Sequence, residues 1–187
     1  MVLPDLPDTD RVMTWCKLSR QILPPNFFGR PEQLADYAEQ TSHGIKWQLY
    51  HKAVNQRQKY LLGWCNGNAG YVFLWTLAHR LSQKKKYLLL AEQTAENVYK
   101  NTTTSGNSLC CGSTGQAYDL LNIYKYTGEF KWLRYSRKLF ERASLSESVR
   151  KNSIFSLYKG LPGIALLEAE LSKPEESVMP FFESSNL

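Results

Sequence analysis

The sequence predicts an all-α protein built from repeated helix pairs. A glycine-rich motif recurs along the chain with its first glycine at Gly67, Gly112 and Gly160, so the periods are 45 and 48 residues. An apolar stretch with helical spacing follows each motif, and no segment shows the alternation of polar and apolar residues that several strands would require. A period in this range is typical of a helix-pair array of the solenoid or toroid kind, in which each unit buries its apolar face against its neighbours.

The N-terminal elements are predicted from apolar spacing and from proline. Apolar residues at helical intervals predict a helix over 10–22. Pro31 begins a second helix, because proline is well tolerated in a first helical turn, and His43-Gly44 is expected to end it. A third helix is expected to start within 47–54. Residues 1–60 are therefore predicted to be an N-terminal helical segment, and residues 61–187 to hold the repeats.

The remaining helices follow the glycine motifs in order. Each motif leads directly into an apolar helix, and the first two of these helices are followed by an amphipathic one. Gly128 is expected to cap the third of the helices below, since glycine readily adopts the left-handed conformation found at helix ends. The predicted ranges are 69–81, 86–100, 115–126, 130–143 and 163–171.

Composition narrows the class of protein. The formal charge is +6, but Lys84–Lys86 is the only basic run and no nucleic-acid motif accompanies it, so we interpret the excess as a solvated helix surface and expect no nucleic-acid partner. No apolar stretch approaches the roughly 20 residues that a membrane-spanning helix needs. The first residues lack the pattern of a secretory signal, so we expect a cytoplasmic protein with reduced thiols.

Three of the four cysteines lie in the glycine motifs. Cys65 belongs to the first motif, GWCNGNAG over 63–70, and Cys110 and Cys111 belong to the second, LCCGSTG over 109–115. Buried packing would explain isolated cysteines, but three thiols on two matched loops suit Zn²⁺, with a fourth coordination position left for a substrate. The third motif, LYKGLPGIALL over 157–167, lacks cysteine. Cys16 lies outside all three motifs and is not expected to be a ligand.

Taken in order, the three motifs resemble those of lanthionine synthetase C-like proteins. The resemblance covers roughly residues 60–171. It implies an α/α toroid of seven helix-pair repeats with zinc at its centre, of which this chain would supply about three to four. It also implies that Cys65, Cys110 and Cys111 are the zinc ligands, in an all-cysteine version of the site.

The resemblance implies a reaction as well as a fold. A zinc-bound peptide cysteine would add to dehydroalanine or dehydrobutyrine and form a thioether ring, so the partner would be a precursor peptide. The acid/base residues of the family lie in earlier repeats, and His43 is the nearest candidate, 22 residues before Cys65. Packing or surface roles are expected for His51 and His79. Because an incomplete toroid would expose apolar helix faces, two explanations are open: the chain is the C-terminal piece of a split or truncated synthetase, or another chain or subunit completes the ring.

Two other functions stay open at this point. The chain could be a zinc-binding remnant or partner-binding module without catalytic activity, because the acid/base part is not recognised. It could also be an α/α-toroid enzyme that acts on carbohydrate. That function requires paired carboxylates near the inner loops, and the motif loops contain none.

Overall fold

A computed structural model describes residues 29–48, 60–102, 106–145 and 155–183. The predicted helix over 10–22 lies outside this part of the chain, as do Cys16 and His51. So does the third predicted helix beyond residue 48. The described elements are α1 (Gly29–Ala35), β1 (Glu39–Thr41), β2 (Gly44–Lys46), α2 (Asn68–Ser82), α3 (Lys85–Asn101), α4 (Ser113–Thr127), α5 (Phe130–Leu145) and α6 (Leu161–Ser172).

The helices form a repeating array of pairs. Helix α2 packs on α3, and α4 packs on α5 in the same way. The three helices that follow glycine motifs, α2, α4 and α6, contact one another in order, so they line one side of the array. Helix α3 also contacts α4, and α5 contacts α6. The predicted helix-pair repeat is confirmed for this part of the chain.

The core lies between the two layers of helices. Trp75 of α2, Tyr118 of α4 and Trp132 of α5 are among its largest fully buried side chains. Trp75 stacks on Tyr87 of α3 with ring centroids 5.6 Å apart. Aromatic rings of this size bury a large apolar area and pack in offset or edge-to-face arrangements, so they fix how the helices of one pair meet.

A short β-hairpin replaces the predicted end of the second helix. Helix α1 ends at Ala35, and strands β1 and β2 pair antiparallel with Thr41 opposite Gly44. The prediction that a helix runs to His43-Gly44 is therefore wrong. Gly44 has φ of +113°, and a Cβ atom there would lie 2.1 Å from the carbonyl oxygen of Gln93. Only glycine fits this left-handed turn pressed against α3.

The helix ends match the expected chemistry. Gly128 adopts φ of 72° after α4, and its N–H donates to the carbonyl oxygen of Tyr124 at 2.7 Å. This is the left-handed cap that the sequence predicts. Among the described residues, no helix combines the length and apolar character that crossing a membrane demands.

Candidate metal centre

The three glycine motifs adopt matching backbone turns. A Cβ atom on Gly70 would lie 2.4 Å from the carbonyl oxygen of Trp64, six residues earlier. The equivalent glycines, Gly115 and Gly163, would place a Cβ atom 2.2 and 2.3 Å from carbonyl oxygens that are also six residues earlier. Contacts this short exclude any side chain. The glycines are required because each loop folds closely onto the start of the helix that follows it.

Hydrogen bonds join each loop to the next. The backbone N–H of Cys65 donates to the carbonyl oxygen of Cys110 at 3.2 Å, and the N–H of Cys110 donates to that of Tyr158 at 2.9 Å. These three residues occupy the same position in successive motifs. The N–H of Trp64 adds a second bond to the Cys110 carbonyl, at 3.1 Å. The repeat therefore stacks its loops as well as its helices, and this stacking brings the first two motifs together.

The three motif cysteines form one cluster. The Sγ atom of Cys111 lies 3.3 Å from that of Cys65 and 3.3 Å from that of Cys110. All three sulfur atoms are within 4.8 Å of one another. Cys65 and Cys111 are exposed, whereas Cys110 is half-buried. The structure thus brings together the three residues that the sequence singles out as metal ligands.

The donor set fits a thiophilic metal ion. Zn–S bonds of about 2.3 Å in a tetrahedral site separate the sulfur atoms by roughly 3.8 Å, close to the separations seen here. Burial, reinforced by hydrogen bonding with the Cys65 thiol, raises the pKa of Cys110 to about 12. The same two causes raise the pKa of Cys111, and the Lys159 ammonium opposes the rise. Crowded thiols such as these require a cation if they are to ionise together at neutral pH.

His43 lines the same cavity as two of the thiols. The cavity has a volume of about 620 Å³, and its wall includes His43, Cys65 and Cys111. The sequence offers His43 only as the nearest acid/base candidate, half a repeat out of phase with the motifs. The hairpin explains its place, because a turn rather than a helix carries it to the cavity wall.

Side-chain hydrogen bonds hold this hairpin against α2 and α3. The amide of Asn97 donates to Thr41 Oγ1 at 2.9 Å, and Thr41 Oγ1 accepts from the N–H of His43 at 3.1 Å. The N–H of Trp47 donates to Asn68 Oδ1, at the first residue of α2, at 3.0 Å. Asn68 and Asn97 are both buried. Buried amides with fixed partners position the turn that bears His43.

Sequence reasoning missed the other polar residues of the cavity wall. Lys46 and Tyr60 lie there, with the Lys46 ammonium 3.4 Å from the centre of the Tyr60 ring. The Tyr60 hydroxyl donates to Glu39 at 2.5 Å, and this bond lowers the pKa of Glu39 and raises that of Tyr60. A lysine and a tyrosine outside any motif cannot be recognised as site residues from the sequence. The hairpin and the residues before the first motif bring them to the site.

A second cavity lies on the other side of the Cys65 loop. It has a volume of about 600 Å³, and its wall includes Cys65 and Asn66, which also line the first cavity. The aromatic rings of Trp47, Tyr71 and Phe182 form much of its surface. Cys65 therefore lies between a polar cavity and an aromatic one.

His79 lies away from the cluster. It is in the last turn of α2, where Nδ1 contacts the hydroxyl of Tyr126 and the two rings meet edge to face. It is not among the described residues that line either cavity next to Cys65. This placement agrees with the packing role predicted for it.

The site and the repeat agree with a comparison of the sequence against protein families. A family model described as "Lanthionine synthetase C-like protein" matches residues 21–184. The chain belongs to this family. The match spans most of the chain and includes part of the predicted N-terminal segment. The division of the chain into an N-terminal segment (1–60) and repeats (61–187) stays a prediction. Because the family fold is an α/α toroid, the helix pairs described here are a part of that ring.

A relative supports the same assignment. A Danio rerio protein named "Glutathione S-transferase LANCL1" is 28% identical to this chain over 139 residues, which are 72% of this chain and 34% of the relative. The chain thus matches about a third of the length of that relative. The predicted incompleteness of the toroid, at about three to four of seven repeats, is consistent with this coverage.

Proposed function

We propose that Cys65, Cys110 and Cys111 bind one Zn²⁺ and that the centre activates a thiol for thioether formation. The observation that carries the proposal is the cluster of three sulfur atoms within 4.8 Å, open to a cavity that also contains His43. When bound, zinc would supply a positive charge that stabilises a substrate thiolate at neutral pH. We place this thiol chemistry in the cytoplasm, where cysteines stay reduced.

The chain's own residues determine what the site does with a thiol. Three cysteine ligands place more negative charge at the centre than two cysteines and a neutral histidine would, which favours a reactive substrate thiolate. Cys65 and Cys111 are exposed toward the cavity, so a substrate has access to the cluster. The exposed turn at His43 is the candidate source of the proton that the product carbon requires.

The favoured substrate is a peptide in which a cysteine adds to dehydroalanine or dehydrobutyrine. The sulfur–carbon bond forms at the β-carbon, and the α-carbon takes up a proton. The aromatic wall of Trp47, Tyr71 and Phe182 next to Cys65 suits apolar side chains that flank the reacting cysteine. A peptide lying across the Cys65 loop would contact both cavities.

Glutathione is the second candidate thiol. The Danio rerio relative is named as a glutathione S-transferase, and glutathione offers a cysteine thiol with two carboxylates. Lys46 on the wall of the polar cavity is a cation suited to such an anion. A remnant without catalysis is the remaining alternative. A carbohydrate enzyme is disfavoured by family membership and because no aspartate or glutamate is among the described residues on that wall.

We propose further that the chain acts with a partner that extends the ring. Phe155 and Phe181 are 89% and 91% exposed, and Leu89 of α3 is 53% exposed. Apolar side chains of this kind are typical of repeat edges that pack against a neighbouring repeat. The partner would be another chain or subunit that supplies the missing helix pairs.

Metal analysis of the purified chain tests the zinc centre. We expect about one zinc per chain, and a loss of most of it in Cys65→Ala, Cys110→Ala and Cys111→Ala. Cys16→Ser is the matched control, because that residue lies outside the motifs and should not change the metal content. Unchanged zinc in Cys110→Ala would rule out the proposed ligand set.

A cyclisation assay tests the activity. The chain is incubated with a dehydrated peptide that contains cysteine, and the remaining free thiol is alkylated and measured by mass spectrometry. A part of the ring would hold the peptide in register less well than a whole ring, and orientation alone can contribute several kcal/mol to such a reaction. We therefore expect slow ring formation by the isolated chain. Rapid zinc-dependent cyclisation by a monomer would contradict the need for a partner.

A further inference from the structure

We infer that Cys65 and Cys111 are a redox-active thiol pair, which closes to a disulfide when the metal is absent. Their Sγ atoms are 3.3 Å apart, and both residues are exposed. An oxidant in solution therefore has access to either sulfur atom. The sulfur that it oxidises is already in contact with the second sulfur of the pair. The pair joins two loops that lie 46 residues apart in sequence.

The backbone around the pair is prepared for this bond. The N–H groups of Trp64 and Cys65 both donate to the carbonyl of Cys110, at 3.1 and 3.2 Å. These bonds already hold the first loop against the residue before Cys111. A disulfide needs the two sulfur atoms at about 2.05 Å, so they must approach by little more than 1 Å, and side-chain rotation can supply most of that movement.

The alternative pairs are less suited to closure. Cys110 and Cys111 are adjacent in sequence, and a bridge between neighbours forces the peptide between them into a strained ring. Cys110 is also half-buried, with less access for an oxidant than the two exposed thiols. The structure therefore assigns the reactive pair to Cys65 and Cys111 and leaves Cys110 as the spectator thiol.

The oxidation balances with a peroxide as the oxidant. Hydrogen peroxide oxidises the thiolate of one cysteine to a sulfenic acid and is itself reduced, releasing water. The second thiolate attacks this sulfur, the S–S bond forms, and the sulfenic oxygen leaves as a second water after taking up a proton. In total, two thiols and one peroxide give one disulfide and two waters. An external dithiol reverses the step by exchange.

This chemistry makes the thiol pair a link between redox state and metal content. Cysteine binds zinc as the thiolate, and a disulfide sulfur is not a thiolate, so closing the pair removes two of the three proposed ligands. Conversely, a bound metal ion would shield both sulfur atoms from peroxide. The pairing of the two cysteines does not depend on the proposed zinc centre, whereas the shielding does rest on it.

Mass spectrometry of the oxidised chain tests the pairing. The full chain carrying Cys16→Ser is stripped of metal with a chelator, treated with one equivalent of hydrogen peroxide, and alkylated under denaturing conditions. We expect a loss of about 2 Da, alkylation of a single remaining thiol, and a cross-linked peptide pair joining Cys65 to Cys111. Dithiothreitol should restore all three thiols.

Single substitutions provide matched controls for the pairing. Cys110→Ser should retain the cross-link, whereas Cys65→Ser and Cys111→Ser should abolish it. A dominant bridge between Cys110 and Cys111, or between separate chains, would overturn the assignment. Oxidation of the thiols to sulfinic acid without formation of a disulfide would also overturn the assignment.

A zinc-loaded sample separates the two proposals. If zinc binds at the cluster, the loaded chain should form the disulfide at least about tenfold more slowly than the metal-free chain, since coordination removes the free thiolates. Equal rates with the cross-link intact would reject the zinc centre and keep the thiol pair. Protection by zinc without any Cys65–Cys111 bridge in the metal-free chain would reject the thiol pair and keep the zinc centre.

Discussion

Gly63 lies directly against Cys111, so that a Cβ atom on this glycine would come within 2.8 Å of the Cys111 Cα atom. The close approach is between the first and second motif loops, which carry the three clustered thiols. The two loops can stay this close, with their thiols clustered, only if residue 63 has no side chain.

Gly63→Ala is expected to separate the two loops and weaken metal binding. The added methyl meets backbone rather than a flexible side chain, so one loop must move, at a cost of about 1–3 kcal/mol in stability. Thermal unfolding and competition with a zinc chelator measure the two effects. Gly163→Ala is the control, because its methyl would meet the backbone of the third loop, which has no cysteine, and in the second motif only the side chain of Leu109. Equal zinc affinity in the two variants would contradict this account.

Zinc binding is expected to release protons and to strengthen as the pH rises. Burial raises the pKa of Cys110 to about 12 and that of Cys111 above its usual range. Both thiols are therefore protonated in the metal-free chain at pH 7, and binding must displace both protons. Two released protons make the apparent affinity rise by about 100-fold per pH unit.

Calorimetry in buffers of different ionisation enthalpy counts the protons released on zinc binding. At least two per zinc are expected near pH 7. Cys110→Ser should reduce this number by about one in whatever zinc binding remains. An affinity that does not change between pH 6 and 8 would mean that the thiols are not the ligands.

His43→Gln is expected to slow thiol addition without changing the metal content. His43 lines the cavity that contains Cys65 and Cys111, and loss of a general acid or base commonly costs roughly 10²–10⁴-fold in rate. The rate of glutathione addition to a dehydroalanine peptide measures the effect, with zinc content determined in the same samples. His79→Gln is the control, since His79 contacts Tyr126 instead. Similar rates in both variants would remove His43 from the mechanism.

Asp119→Asn is expected to stabilise the fold at neutral pH. Asp119 of α4 is fully buried, and neither carboxyl oxygen has a well-aligned hydrogen-bond partner among the described residues. Burial raises the pKa of Asp119 well above its usual range. The unfolded carboxyl ionises near pH 4. The protonated Asp119 carboxyl therefore contributes its full share to the free energy of unfolding below that pH. This contribution is lost as the pH rises toward the pKa of the carboxyl in the folded chain.

Urea unfolding at two pH values measures the Asp119 effect. At pH 7.5 the variant should be more stable than the parent chain by about 1–3 kcal/mol, and the difference should shrink near pH 4. Asp36→Asn, on an exposed side chain, should change little at either pH. A variant that is less stable at both pH values would show that the carboxyl has an essential partner.

The repeat made most of this fold and part of its site predictable. The five helices from Asn68 onward begin and end within two residues of the predicted bounds, because glycine motifs and apolar spacing define both ends. Cys65 and Cys110 could be brought together in advance, since equivalent positions of neighbouring repeats lie side by side. Both inferences use only local pattern and period.

The rest depends on contacts between distant residues. Strands of three residues are too short to show alternation, so the hairpin has no recognisable pattern. Its position depends on Asn97 and Asn68, which bond to it from α3 and α2. Contacts between distant residues also decide burial: Leu77 and Leu89 fall on apolar helix faces by their spacing, but they are 42% and 53% exposed. Spacing shows that a helix has an apolar face and does not show which neighbours cover it.

The bonds between the loops give the array a direction. Each N–H at the cysteine position donates forward, from Cys65 to Cys110 and from Cys110 to Tyr158, and none of these bonds runs backward. In a repeat that preceded the Cys65 loop and kept this pattern, a backbone N–H would donate to the carbonyl oxygen of Cys65. In a repeat that followed the Tyr158 loop, a carbonyl oxygen would accept a hydrogen bond from the N–H of Tyr158. The two ends of the array therefore differ in polarity, like the ends of a head-to-tail polymer, and a partner that obeys this rule can dock in one orientation only.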